Sequence, residues 1–274
     1  MQSYNAGASA FMQNLSFFDR LILRAKRAQS PPFRLLKKAY RMYEYPVLPP
    51  LPRALLRPLR AVYEIHFLVI TGFRSLITLF YRNPVFQSRC ASFGRNVRLD
   101  GPMPYVSGHV QIHIGNDCAL GGNINISSGR MLDEPRLIIK DRAEIGWNTA
   151  LVVNSEIIIE EDVRIPVNCR ISDSDGHPRE ADRRAANEPP DLKDIRPVRI
   201  CRNAWIGNGS QIMKGVTIGE GAVIGANSVV IGNVPPYALA MGNPAEIIIK
   251  NFGIPTTMKK KKTGLGGGVA PVEH

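Results

Sequence analysis

The chain has 274 residues, 44% of them hydrophobic, with a formal net charge of +12. That composition excludes a disordered chain, and four scattered cysteines (Cys90, Cys118, Cys169, Cys201) without CxxC spacing exclude a disulfide-stapled or zinc-ribbon scaffold and point to a reducing compartment. Residues 1–82 carry thirteen Lys/Arg against Asp19, Glu44 and Glu64, Lys259 to Lys262 stand near the end, and 83–250 is close to neutral, so the flanks suit an anionic partner surface.

The opening MQSYNAGASA has no basic start running into an apolar segment, so no cleavable signal peptide is expected and the location reads as cytoplasmic. Residues 11–29 read as a basic amphipathic helix, with Phe11, Leu15, Phe18 and Ile22 at three- and four-residue spacing and Pro31-Pro32 as its stop. A second short helix is expected over 33–45, then an extended PVLPPLPR connector, then a longer helix over 53–82 ending before Pro84. Its apolar stretch 65–81 is interrupted by His66, Gly72 and Arg74. A spanning helix needs about 20 predominantly apolar residues, and an arginine near its centre costs about 2.5–3.5 kcal/mol. The favoured reading of residues 11–82 is therefore a peripheral membrane contact, with Arg20, Arg24, Lys26, Arg27, Lys37 and Lys38 on anionic lipid at about 1 kcal/mol each. Packing on the rest of the protein or on sister copies, and a true span, are the other readings. The basic flanks lack aromatic interleaving or a nucleic-acid motif, so no nucleic acid is expected.

From Phe93 onward the pattern changes. Ile200, Ile206, Ile212, Ile218, Ile224 and Val230 stand six residues apart. Six is no helical period, but along a strand it keeps every side chain on one side. A chain that turns a corner every six residues and drops one aliphatic inward per face closes a three-sided parallel β-helix. Gly207, Gly219 and Gly225 follow the aliphatics, and Asn203, Asn208, Asn227 and Asn233 fall near expected corners, as residue types that tolerate positive φ. Earlier coils are less regular: Ile114, Leu120 and Ile126 keep the step, SSGRMLDEP breaks it, Ile139, Ile145, Leu151 and Ile157 resume it, and it shifts by two before Ile165 and Ile171. After Val230 the chain is expected to leave the coil. The expected domains are a helical extension over 1–88, the β-helix over 89–250 and a disordered basic tail over 251–274.

The repeat stops between Ile171 and Ile200, and a polar loop of that length is usually functional. This loop, 172–199, carries SDSDGHP, in which His177 is a candidate general base and Asp173 and Asp175 candidate orienting carboxylates; a solvated loop histidine is the plain alternative. His109 and His113 have metal-pair spacing, but His177 lies several coils away, so no metal site is expected. NGS at 208–210 fits a glycosylation sequon, discounted for a cytoplasmic chain.

SDSDGHP, PVRICRNAWIGNGSQIMKGVTIGEGAVIGANSVV and VPPYALAMGNPAEIIIK together resemble the hexapeptide-repeat acyltransferases, in the branch of maltose, galactoside and capsular-sugar O-acetyltransferases. The resemblance is strong over 139–250, loose over 93–138 and absent from the first 90 residues. It implies an all-β, left-handed parallel β-helix, against the usual right-handed crossover, assembled as a homotrimer with active sites between subunits. It also implies acetyl-CoA or another acyl-CoA as co-substrate, no bound cofactor, no covalent acyl-enzyme, and His177 as the base that takes the acceptor's proton.

By the same resemblance Trp205 lines the pantetheine groove, Gly207, Asn208, Gly225 and Ala226 offer close backbone approach, and Lys214 either contacts the donor or is a solvated surface lysine. The chain departs from its relatives at Ile231-Gly232, where they often have Thr-Lys, and at Glu246, where they often have a basic residue, leaving Lys250 or Lys259–Lys262 for the CoA phosphates. A relative's sugar-binding asparagine aligns with Val152, and Asn154, two residues on, is the substitute. The implied activity is O-acylation of a sugar hydroxyl, on a cell-surface polysaccharide or lipid-linked glycan precursor. The alternatives are N-acylation of a nucleotide-linked amino sugar and a non-catalytic scaffold.

Overall fold

The six-residue period is realised as three faces of short parallel strands. In the computed structural model, which describes Ser16, Asp19 and residues 31–45 and 50–254, six coils run over 92–107, 111–127, 136–152, 156–172, 198–212 and 217–230. Face A stacks Ser92–Phe93, Gln111–Ile114, Arg136–Ile139, Glu156–Ile159, Val198–Ile200 and Thr217–Ile218. Face B begins at Arg98–Asp100 and runs through Trp205–Ile206 and Val223–Ile224, and face C runs from Tyr105–Ser107 to Val229–Val230. Pairing is parallel and in register between coils, as in Ile159 with Ile139 and Ile200 or Ile212 with Ile171 and Val230.

Each face buries two residues, not one. Val198 and Ile200, Ala204 and Ile206, Ser210 and Ile212, Val216 and Ile218, Ala222 and Ile224, Ser228 and Val230 all point inward. The strand alternation explains this: the residue two before each aliphatic faces the same way. On face A of coils 2 to 4 that second slot holds Ile112, Leu137 and Ile157; elsewhere it is mostly small, with Cys118 and Cys169 among its occupants, and burial raises both thiols above their ordinary range. Filling the axial column with Ile and Leu contributes about 1.5–3 kcal/mol per side chain.

The corners correct one expectation. Positive φ falls on Asn203, Gly209, Gly215, Gly221 and Asn227, three residues after each inward aliphatic, and not on Gly207, Gly219, Gly225, Asn208 or Asn233. Gly207, Gly219 and Gly225 are needed for closeness instead: an added Cβ would collide with the Ala226 backbone, the Pro236 backbone and the Met241 side chain of the next turn. Side-chain amides stack along one corner, Asn123 donating to Asn148 and Asn148 to Asn168, each at 3.2 Å.

From the second coil on, every departure from the six-residue step falls at the edge where face C passes to face A. There lie 128–135, the 153–155 turn that produced the shift by two, and 173–197. The chain also stays in the stack beyond Val230. Leu239–Gly242 pairs parallel with Val223–Ile224 on face B, and only then does Ala245–Ile249 turn back antiparallel.

Two compact units divide the chain, Met1–Ile70 and Thr71–His274. The first holds the helix Pro31–Glu44 and the start of the helix Arg53–Ile77. The helical run then continues through a π turn at Thr78–Arg82 and a final helix Asn83–Arg89, so Pro84 does not end it. Pro84 falls in the first turn of that last segment, where a missing N–H costs nothing. The run Arg53–Arg89 is long and apolar enough to cross a membrane by length and composition, and none of its most apolar window is buried. The helix expected over 11–29, with Arg20, Arg24, Lys26 and Arg27, the first half of PVLPPLPR, and Lys259–Lys262 lie outside the described residues.

Candidate functional site

The loops at the C-to-A edge build a groove of about 420 Å³ lined by residues 127–131, Val152, Asn154, Gly176, His177 and residues 187–190. His177 is presented by a tight local turn. Ser172 Oγ donates to Ser174 O at 2.5 Å, Gly176 N donates to Ser174 Oγ at 3.0 Å, and Gly176 itself takes φ +81°, a left-handed conformation that glycine adopts without strain. The His177 imidazole is exposed on the groove wall and makes no side-chain hydrogen bond among the described residues.

The neighbouring carboxylates are engaged elsewhere. Asp173 is fully buried and accepts from Asn154 N at 2.8 and 2.9 Å, from Ser155 N at 2.6 Å and from Asn154 Nδ2 at 3.3 Å. Burial pushes its carboxyl above the ordinary value, and those N–H donors pull the other way. Asp173 therefore caps the 153–155 turn and does not bond the imidazole. Asp175 accepts from Lys214 Nζ at 2.5 Å. Lys214 is buried and also reaches Asp194 at 3.3 Å, while Arg179 donates to Asp194 at 2.9 Å. Burial raises the Asp194 carboxyl, but the Lys214 bond and charge outweigh it and hold it below its ordinary value. Lys214 is thus not a solvated surface lysine: it pins the 173–197 loop to the turn after coil 5.

Asn154 lines the groove, but its amide is already used, Oδ1 accepting from Gly129 N at 2.9 Å. Gly129 is a groove residue that sequence reasoning missed. Its signal, a break in the repeat at SSGRMLDEP, was visible; its partner on the next coil was not.

The remaining candidates sit on other parts of the prism. Trp205 projects from face B into a shallow cleft of about 290 Å³ shared with Trp147 and Arg164. Gly207 and Asn208 turn the B-to-C edge in coil 5, with Gly225 and Ala226 above them in coil 6, and Lys250 is exposed beyond the last strand. One chain therefore gathers His177, Asp173, Asp175, Asn154 and Lys214 at one edge and sets Gly207, Asn208, Gly225 and Ala226 on another, with Trp205 on the face B strand that leads to it. His113 Nδ1 lies 3.0 Å from Ser92 Oγ and His109 Nε2 lies 2.8 Å from Leu132 O, and no three His, Cys, Asp or Glu side chains converge among the described residues.

Residues 197–232 match the family described as bacterial transferase hexapeptide (six repeats). The Saccharomyces cerevisiae protein named "Putative acetyltransferase YJL218W" is 36% identical over 114 residues, covering 42% of this chain and 56% of that protein. A Staphylococcus aureus protein of the same kind of name, SACOL2570, is 50% identical over 54 residues, 20% of this chain and 27% of that protein. The chain thus spans about half or less of the length of these relatives. Among solved structures, a mutant of AntD, an N-acyltransferase from Bacillus cereus in complex with dTDP-4-amino-4,6-dideoxyglucose and coenzyme A, matches with TM-score 0.53 at 19% identity, over 68% of this chain and 96% of that one. AntD with dTDP and 3-hydroxybutyryl-CoA matches with TM-score 0.50 at 18% identity, over 68% and 94%. The three parallel faces and these neighbours fit a left-handed β-helix.

Proposed function

We propose that the protein is an acyl-CoA-dependent O-acyltransferase acting on a sugar hydroxyl, with His177 as general base. The observation that carries this is an exposed imidazole, with no side-chain hydrogen bond among the described residues, on the wall of the loop groove. The acetyltransferase names of its relatives support the activity class. The acceptor hydroxyl attacks the thioester carbonyl as His177 takes its proton. Backbone N–H groups stabilise the resulting oxyanion, and the C–S bond then breaks with the imidazolium returning the proton to the leaving thiolate. Acetyl-CoA is the expected donor, and no acyl-enzyme is required, because both substrates meet in one groove.

The separation of the two residue groups supports a homotrimer, in which the B-to-C edge of one copy completes the C-to-A edge of the next. The basic, apolar helices support a cytoplasmic enzyme held at an anionic membrane, a setting that suits a lipid-linked glycan acceptor. A thiol-release assay with acetyl-CoA against sugars, nucleotide-linked amino sugars and lipid-linked glycans tests the reading. Turnover only on amino sugars would replace the O-acyl reading with N-acylation, and no turnover on any would leave a scaffold.

A further inference from the structure

We infer that a second groove, between the helical run and the first coils, binds the phosphate of a membrane phospholipid. The groove encloses about 800 Å³ and is lined by Thr71, Arg74, Thr78 and Arg82 from the helix and by Arg98 and Trp147 from face B. That volume exceeds a lone phosphate and leaves room for a headgroup beyond it. Thr71, Arg74, Thr78 and Arg82 recur at three- and four-residue spacing and form one stripe. Arg74, which interrupts the apolar segment, therefore faces the groove.

The donors there are available. Arg74 and Arg98 stand outside every ion pair formed among the described residues. Arg82 Nη1 donates to Gly101 O at 3.0 Å and Thr78 Oγ1 at 3.4 Å, which anchors its guanidinium and leaves further N–H groups. Ser75 also lines the groove but gives its hydroxyl proton to Thr71 O, and Asp100 is the one carboxylate on the wall. Asn83, at the groove's end, keeps a buried side-chain oxygen with no donor among the described residues. The π turn Thr78–Arg82 lies on the groove, where such turns often mark functional sites.

The opposite side of the same helix is apolar and open: Phe73, Leu76 and Phe80 are 61%, 55% and 74% exposed. A triple-arginine groove backed by an exposed Phe/Leu stripe is what a helix lying at a lipid interface requires, its charge meeting phosphate and its stripe meeting acyl chains. This inference rests on the membrane reading above and commits it to a particular site.

The test is co-sedimentation of the full chain with phosphatidylcholine vesicles, with and without phosphatidylglycerol. Arg74→Gln/Arg98→Gln should weaken binding to the anionic vesicles by about thirtyfold, as loss of two phosphate contacts implies, with an unchanged circular dichroism spectrum. Arg53→Gln/Arg57→Gln, which removes the same charge from the exposed start of the helix, should weaken it less. Equal losses for the two pairs would overturn the groove while leaving the membrane reading standing, and no sedimentation of the unaltered chain would end both. Should the double variant misfold, Arg98→Gln alone, at an exposed strand position, takes its place with a proportionate loss expected. Dihexanoyl phosphatidylglycerol below its micelle concentration should shift tryptophan emission through Trp147. If glycerol 3-phosphate does so equally at equal concentration, the ligand is free phosphate and the lipid assignment falls.

Discussion

Asp173 and His177 are four residues apart and do opposite work. The Asp173 carboxylate is spent on the amides of Asn154 and Ser155, so replacing it with Asn sets an NH2 group against a backbone N–H. We expect Asp173→Asn to destabilise the protein by about 1–3 kcal/mol in urea unfolding. Because burial raises its pKa in the fold, the folded state takes up that proton more readily than the unfolded chain, so Asp173 does not drive acid unfolding. His177→Ala removes a side chain that holds nothing together. It should leave the urea midpoint unchanged and lower thiol release at least about 100-fold, the usual share of a general base. Near-normal turnover in that variant would remove the proposed mechanism. His177 was legible in the sequence because it interrupts a repeat. The role of Asp173 was not, because its partners lie 18 and 19 residues back on a neighbouring coil.

At the scale of elements, the 173–197 loop hangs on Lys214. Replacing it with Met leaves Asp175 without its partner and Asp194 with Arg179 alone. Limited trypsin digestion at Arg179, Arg183 and Arg184 should then accelerate severalfold while the coils stay intact. A raised KM for acyl-CoA with an undigested loop would instead mean that Lys214 serves the donor. The Asp194 carboxyl titrates below its ordinary value in the fold, so its bond to Lys214 is fully present at neutral pH. That stabilisation is lost only as pH falls below the ordinary carboxylate value of 3.8, and loop proteolysis by an acid protease should rise there. The strands were readable from the six-residue period alone. The second inward slot was not, since Ile, Leu, Val, Ala, Ser, Thr and Cys all occupy it and no residue type marks it. Gly207→Ala is the matching test: it should cost about 1–3 kcal/mol by forcing adjacent coils apart, although φ at this position is not positive.

At the scale of the whole molecule, the proposed reaction needs two residue groups that one chain sets apart. A prism's edges run parallel, a face apart, and no loop among the described residues carries His177 round to Trp205 or Ala226. A second copy brings the two edges together only if the assembly closes, and a three-fold ring closes with three equivalent sites. This makes a complementation experiment decisive. His177→Ala lacks the proposed base, and Ala226→Arg, at an exposed corner, blocks the edge proposed for the donor; each should be inactive alone. In trimers refolded from equal amounts of both, about a quarter of sites combine an intact His177 edge with an intact Ala226 edge, so about a quarter of normal turnover should return. Recovery requires that the site be shared between copies. If the mixture stays inactive while native mass spectrometry shows mixed trimers, each chain must build its site alone, and the two-edge arrangement falls.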